Sequence, residues 1–244
     1  MDTIDRVSIT SVLDRNETGI TRPFFCRCSD GFDYFVKGKY AGIEALCNEL
    51  IAGQIASFLH LPIPEFRIVE IPSELFEYSL FEKIEEIGRD PAWGLRAIPQ
   101  AEVFSELHLV DADEEMCIKV LLFDWFVENS DRGSSRGNLL WSTLSHSLHI
   151  IDHNLAFDET FDTKLFWKGH LLKDFRDKAF NDLHKQQLKN LLEQCILNMA
   201  GYFSNIPPEW SDADCFDFRE YKNRVMSILT RLNTNSELFW KGKI

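Results

Sequence analysis

Lys37, Glu49, Asp131, Asn138 and Asp152 are the side chains whose types and order could do chemistry together. Lys37 ends the β-prone run YFVKG, Glu49 follows in CNEL, and the other three stand in SDRG, GNLL and IIDH. Phosphoryl transfer from ATP needs few protein parts. A lysine neutralises phosphate charge, and a carboxylate orients that lysine. A second carboxylate orients the attacking hydroxyl and takes its proton. An Asn and an Asp hold Mg2+, a small hard ion that takes oxygen ligands and keeps some waters. The sequence supplies these parts in that order: catalytic Asp131 with Lys37 and Glu49, and Asn138 and Asp152 as metal ligands. The expected cofactors are therefore ATP and Mg2+, with Lys37, Asn138 and Asp152 contacting the bound nucleotide. An Asp-Arg pair alone would mean nothing. The weight lies in D-R-x5-N-L-L followed by I-I-D-H.

The elements around these residues could position them. VSITSVL, FFCRCSD and DYFVKG read as short strands, with Asp30-Gly31 as a hairpin signal. Apolar residues at helical spacing predict a helix from Gly42 to His60, stopped by LPIP. FRIVEI reads as a returning strand. A strong apolar helix spans Glu114 to about Glu128 and runs into the polar loop NSDRGSSRGN. LLW and SLHII read as strands around STLSH, so a hairpin would return Asn138 and Asp152 to one metal. Segments 181–199 and 216–232 read as helices, split by the loop SNIPPEWSDAD. SELFEYSLFEKIEEIGRDPAWG reads as partly helical and suggests no role. Between the first two strands lies TGITRP, where Thr18, Gly19 and Thr21 would cover phosphates with backbone N–H groups. It has one Gly rather than three, so a plain hairpin loop fits equally. The expected fold is α+β and two-lobed: a small β-rich lobe over 1–75, and a larger, mainly helical lobe over 76–244.

These motifs resemble the HipA-like kinase-domain family, in its short branch, related to the serine/threonine kinases of bacterial toxin–antitoxin modules. The matching segments are NETGITRPFFCRCSDGFDYFVKG, ALCNELIAGQIASFLHLPIPEFRIVEIP, LLFDWFVENSDRGSSRGNLLW and LHIIDHNLAF. Type II phosphatidylinositol 4-kinases share a distantly similar arrangement. The resemblance implies a protein-kinase-like fold with ATP in the cleft between lobes, transfer to a protein Ser or Thr hydroxyl, and a growth-regulating role beside an antitoxin partner. It implies that Lys37 contacts phosphate, Glu49 pairs with it, Asp131 is the catalytic aspartate, and Asn138 and Asp152 bind metal. Many members place Gly after the Asp-His pair. Here Asn154 stands there, a residue that tolerates left-handed backbone.

Blander readings exist for each residue. Lys37 could be a solvated strand-end lysine contributing little to a core, and Glu49 could face solvent as Glu44 is expected to. Asp131 and Asn138 could be turn residues. Arg132 could brace Asp131 or contact phosphate; bracing is favoured. His146, His149 and His153 lack the spacing of a metal hydrolase, and Cys26 and Cys28 read as ordinary strand residues rather than zinc ligands.

Composition narrows the partners. The 244 residues carry a net charge of −13, which disfavours direct nucleic-acid binding and docking on anionic membranes and would attract a basic partner protein. No run approaches the length of a membrane span, the start lacks a signal-peptide pattern, and the six dispersed Cys suit a cytoplasmic chain with reduced thiols. Two rival functions remain, a nucleotide-binding pseudokinase serving as an interaction module and a lipid kinase.

Overall fold

The computed structural model describes residues 3–16, 21–78, 81, 83–133 and 138–243. Strands β1 (Arg6–Arg15), β2 (Phe24–Cys28) and β3 (Asp33–Lys37) form an antiparallel meander. Its second turn is the expected Asp-Gly hairpin, in which the Asp30 carboxylate accepts from the Phe32 N–H (3.1 Å) and the Tyr34 hydroxyl (2.7 Å). Helix α1 (Ile43–Phe58) follows, then β4 (Phe66–Glu70), α2 (Glu74–Tyr78) and β5 (Ala92–Arg96). β5 pairs with β3 and β4, and β4 runs parallel to β1, closing a barrel in the order β1-β2-β3-β5-β4.

The fifth strand lies in AWGLR, at the end of and just beyond the run expected to be partly helical and past the boundary expected at residue 75. The sheet-rich part therefore extends to residue 96. Gly94 is what lets β5 lie flat against its neighbours, since a Cβ there would stand 2.5 Å from Val69 Cγ2. Burial of Ala92, Trp93 and Leu95 on both faces makes this strand a continuous apolar run with no alternation to read.

α1 is buried from Leu46 through Ala56, including Asn48, Glu49 and Gln54, so it is sandwiched rather than amphipathic. One side packs on the sheet through Phe66, Ile68, Trp93 and Leu95, within one continuous core that also holds Tyr202, Tyr221 and Val225. The latter three belong to α6 (Asp182–Ser204) and α8 (Phe218–Thr234), the long C-terminal helices. Gln54 donates to the Tyr202 carbonyl (3.3 Å) and accepts from Asn205 Nδ2 (2.6 Å).

The second part opens with β6 (Ala101–Val103) and α3 (Glu114–Phe126). Asp113 caps α3, accepting from the Glu115 N–H (2.9 Å). After the 128–138 loop, β7 (Leu139–Ser142) and β8 (Ser147–Ile150) form a hairpin beside β6. α4 (Thr163–Gly169) and α5 (Arg176–Ala179) precede α6, while α7 (Pro208–Ser211) occupies part of the expected loop and α9 (Ser236–Phe239) follows α8. Beneath the loop, Trp125 packs among Phe161, Phe166, Trp167, Phe180 and Phe239. Buried Arg231 from α8 donates to the Trp125 and Phe126 carbonyls at the otherwise unsatisfied end of α3. Among the described residues no helix is long and apolar enough to cross a membrane.

Cys26 and Cys28 share the buried face of β2, as expected for strand residues. Burial raises both thiols, Cys28 to about 12, which opposes the thiolate form a metal would need.

Candidate active site

Lys37 closes β3, and its ammonium lies 2.5 Å from Glu49 Oε1 and 2.6 Å from Asp152 Oδ1. Asp152, 115 positions along the chain from Lys37, thus shares one nitrogen with Glu49, with the Trp93 ring centroid 5.7 Å away. Lys37 is 6% exposed and Glu49 0%, so the solvated strand-end lysine and the solvent-facing glutamate are both corrected. Burial alone would lower the lysine's pKa, yet Glu49 and Asp152 hold it above its ordinary range. Burial likewise works to raise the Glu49 pKa, and Lys37 with His153 holds it below the usual carboxylate range. Gly38 permits the lysine's backbone to lie against the 83–88 segment: a Cβ at that position would fall 2.0 Å from the Ile87 carbonyl oxygen.

α1 delivers Glu49 because other elements hold the helix. Arg224 of α8 pairs with Glu44 in the first turn of α1 and, at 2.6 Å, with Glu159 in the segment after Asp152. Asn48 donates to the Asn154 carbonyl (2.9 Å), and the His153 N–H donates to Glu49 Oε2 (3.0 Å).

The two short strands expected around STLSH pair as the β7–β8 hairpin. Leu139 pairs with Ile150, and the Ile151 N–H donates to the Asn138 carbonyl (3.2 Å), so Asn138 and Asp152 leave the same end of one ladder. Asp152 sits at φ 56°, a left-handed conformation that Asp adopts more readily than most residues. The resemblance had suggested Asn154 for such backbone. The positive φ falls instead on Asp152 and on Phe157, because the chain turns at once on leaving β8. Asn138 Nδ2 donates to the Asp131 carbonyl (2.8 Å) and to Asp131 Oδ2 (2.9 Å), which leaves Asn138 Oδ1 as its acceptor atom. Thus Lys37, Glu49 and Asp152 form one contact set, and Asp131 and Asn138 another, joined through the hairpin. Of the phosphate-loop candidates, Thr21 is buried, while Thr18 and Gly19 lie outside the described residues.

Arg132 does brace the loop, but its partner is Asp124 (3.0 Å), a buried residue of α3 that sequence reasoning passed over. Also passed over were Phe25 and Phe35, whose rings lie 5.0 Å apart on the sheet face that carries Lys37, Trp93 and Leu95. Period-two alternation from Lys37 would have found Phe35.

His153 is fully buried, its ring against Phe123 and its Nδ1 3.4 Å from Glu49 Oε2. Burial pulls its pKa below the ordinary value and Arg132 pushes the same way, outweighing the opposing pull of Glu49 and Asp124. A histidine held neutral in the fold contributes stability above its unfolded pKa of about 6.5 and loses it as pH falls below that. Melting temperatures from pH 7.5 to 5.5 should fall less steeply for His153→Phe than for the parent. Equal slopes would mean that His153 is not the proton acceptor.

With this geometry in view, the comparisons give the class. The chain belongs to the HipA-like kinase family, whose model matches residues 9–243. It is therefore a kinase by class, with a two-lobed, protein-kinase-like α+β architecture. Among solved structures it is similar to a Helicobacter pylori proinflammatory kinase, CtkA, at 10% identity over 96% of this chain and 95% of that one, with a TM-score of 0.48. It is also similar to the Golgi casein kinase, at 10% identity over 97% of this chain and 74% of that one, with a TM-score of 0.41. A structure of that kinase with Mn/ADP bound gives 11% identity, 95% and 73% coverage and a TM-score of 0.40. No relative was found among curated proteins.

Proposed function

We propose that this chain is an ATP-dependent kinase that transfers the γ-phosphoryl group to a Ser or Thr hydroxyl of a protein. The observation that carries the reading is the buried lysine held between Glu49 and Asp152 (2.5 and 2.6 Å) at the mouth of the hairpin that presents Asn138. A desolvated ammonium kept charged by two carboxylates is a prepared partner for phosphate oxygens, stronger there than in water. Asp131 receives the acceptor's proton, and Asn138 Nδ2 orients its carboxylate. Phe25 and Phe35 offer an aromatic surface for the nucleobase on the same sheet face.

The donor set fits a hard divalent ion. Asn138 Oδ1 and the Asp152 carboxylate are oxygen ligands of the kind Mg2+ takes, and the ion would neutralise triphosphate charge there. The net charge of −13 favours a basic protein acceptor over an anionic lipid, and a growth-regulating role with an antitoxin-type or other basic partner in the cytoplasm extends the same reading.

The test is calorimetric titration of ATP with Mg2+ and with EDTA, alongside labelled transfer to a lysate of the source organism. Binding should weaken sharply in EDTA. At an ATP–Mg2+ concentration 100 times its Kd, stabilisation should reach about 2.7 kcal/mol. Affinity indifferent to EDTA would overturn the metal arrangement. Binding without any transfer would mark a pseudokinase, and labelling confined to anionic liposomes a lipid kinase.

A further inference from the structure

Asp124 is a carboxylate with 0% exposure near the end of α3, in the otherwise apolar run LLFDWF. The negative end of a helix is a costly place for a buried anion, so its partners must compensate fully. Asp124 Oδ1 accepts from Asn129 Nδ2 (3.0 Å) and Arg132 Nε (3.1 Å). Its Oδ2 lies 3.0 Å from Arg132 Nε and 3.2 Å from His170 Nε2. His170 Nδ1 accepts the Leu172 N–H (3.0 Å), which leaves Nε2 to donate to Asp124.

Arg132 also reaches the hairpin, through Nη1. Nη1 donates to the carbonyls of Asn138 and Ile151. One is the backbone of a proposed metal ligand, and the other immediately precedes Asp152. The same arginine's carbonyl accepts the Leu171 N–H (2.9 Å), and Gly133 bridges to His170, so the segment after α4 is fastened to this point.

We infer that Asp124 is a positioning residue: by fixing Arg132 it sets the separation of Asn138 and Asp152, and His170 locks the carboxylate in place. A buried ion pair serving stability alone could be exchanged for apolar groups without loss. Here the cation instead grips the two strands that present the ligands. The inference rests on the metal reading proposed above.

The experiment titrates Mn2+ into the full chain with a non-hydrolysable ATP analogue, following the free-ion electron paramagnetic resonance signal. Asp124→Asn keeps the shape but turns an amide toward donors. Folded by thermal melt, it should bind Mn2+ about 10- to 100-fold more weakly, the usual cost of losing an outer partner of a metal ligand. His170→Gln, whose amide can donate to the same carboxylate, should bind near the parental level, and His170→Leu should show the weakening. If Asp124→Asn fails to fold, the His170 pair decides. Parental affinity in a folded Asp124→Asn, or identical affinities in His170→Gln and His170→Leu, overturns the inference. Asp152→Asn separates the two levels. If it retains Mn2+, the metal reading fails and this inference falls with it. If it loses Mn2+ while Asp124→Asn does not, the positioning role alone is wrong.

Discussion

Asp131→Asn is expected to bind ATP–Mg2+ almost as the parent does and to lose phosphoryl transfer by about 100-fold or more. The variant keeps the shape of the loop. Asn138 Nδ2 now donates to Asp131 Oδ2 (2.9 Å) and to its carbonyl (2.8 Å), and an asparagine oxygen can accept the first bond as well as a carboxylate does. What disappears is the negative charge proposed to orient the acceptor hydroxyl and take its proton late in transfer. Ground-state nucleotide does not draw on that charge. Asp152→Ala should show the opposite pattern. It removes a proposed metal ligand and also the carboxylate oxygen 2.6 Å from Lys37 Nζ, so binding itself weakens. Paired calorimetry and labelled-ATP assays on the two variants read both quantities. Full turnover in Asp131→Asn, or parental metal-dependent binding in Asp152→Ala, would show the roles to be misassigned.

The parts of this fold legible in the sequence are those specified locally. The Asp30-Gly31 turn, the two strands flanking STLSH and the helix stopped at LPIP each carry their own punctuation, and the structure has them at β2–β3, β7–β8 and α1. The order Asp-Arg, Asn, Asp was readable for the same reason, because a hairpin returns its ends to one place whatever surrounds it. Residues 92–96 were not readable. Their neighbours β3 and β4 lie far away in sequence, and only the closed barrel makes AWGLR a strand.

The burial of the site was illegible for a similar reason. Glu49 looks like any charge on a helix until α6 and α8 cover the far side of α1, and Arg224 ties Glu44 and Glu159 together across 115 positions. Asp124 did leave a signal. A carboxylate inside VLLFDWFV has to find a partner or stay neutral, and the nearest buried cation available to it is Arg132. The sequence places that arginine beside Asp131, which is why bracing of Asp131 itself suggested the wrong acceptor.

Lys37→Met should cost both transfer and stability, and a second substitution should separate the two losses. Lys37 is the ammonium facing Glu49, a carboxylate with 0% exposure whose other partners are the His153 N–H (3.0 Å) and ring. Methionine fills the space and contributes no charge, leaving a buried anion largely uncompensated. Removing one member of a buried pair typically costs about 3–5 kcal/mol. For a chain of this length that corresponds to a fall in melting temperature of roughly 10 °C. Adding Glu49→Gln neutralises the stranded carboxylate, and its amide oxygen can still accept from the His153 N–H. The double variant should recover most of the lost stability, giving a coupling energy of at least about 2 kcal/mol between the two positions. Phosphoryl transfer should not recover, because the cation proposed for the phosphates is still missing. Melting curves without ligand and turnover with ATP–Mg2+, taken on the parent, both single variants and the double, complete the cycle. A double variant as unstable as Lys37→Met would assign the loss to packing rather than to charge. Transfer surviving in either lysine variant would remove Lys37 from the phosphate site altogether.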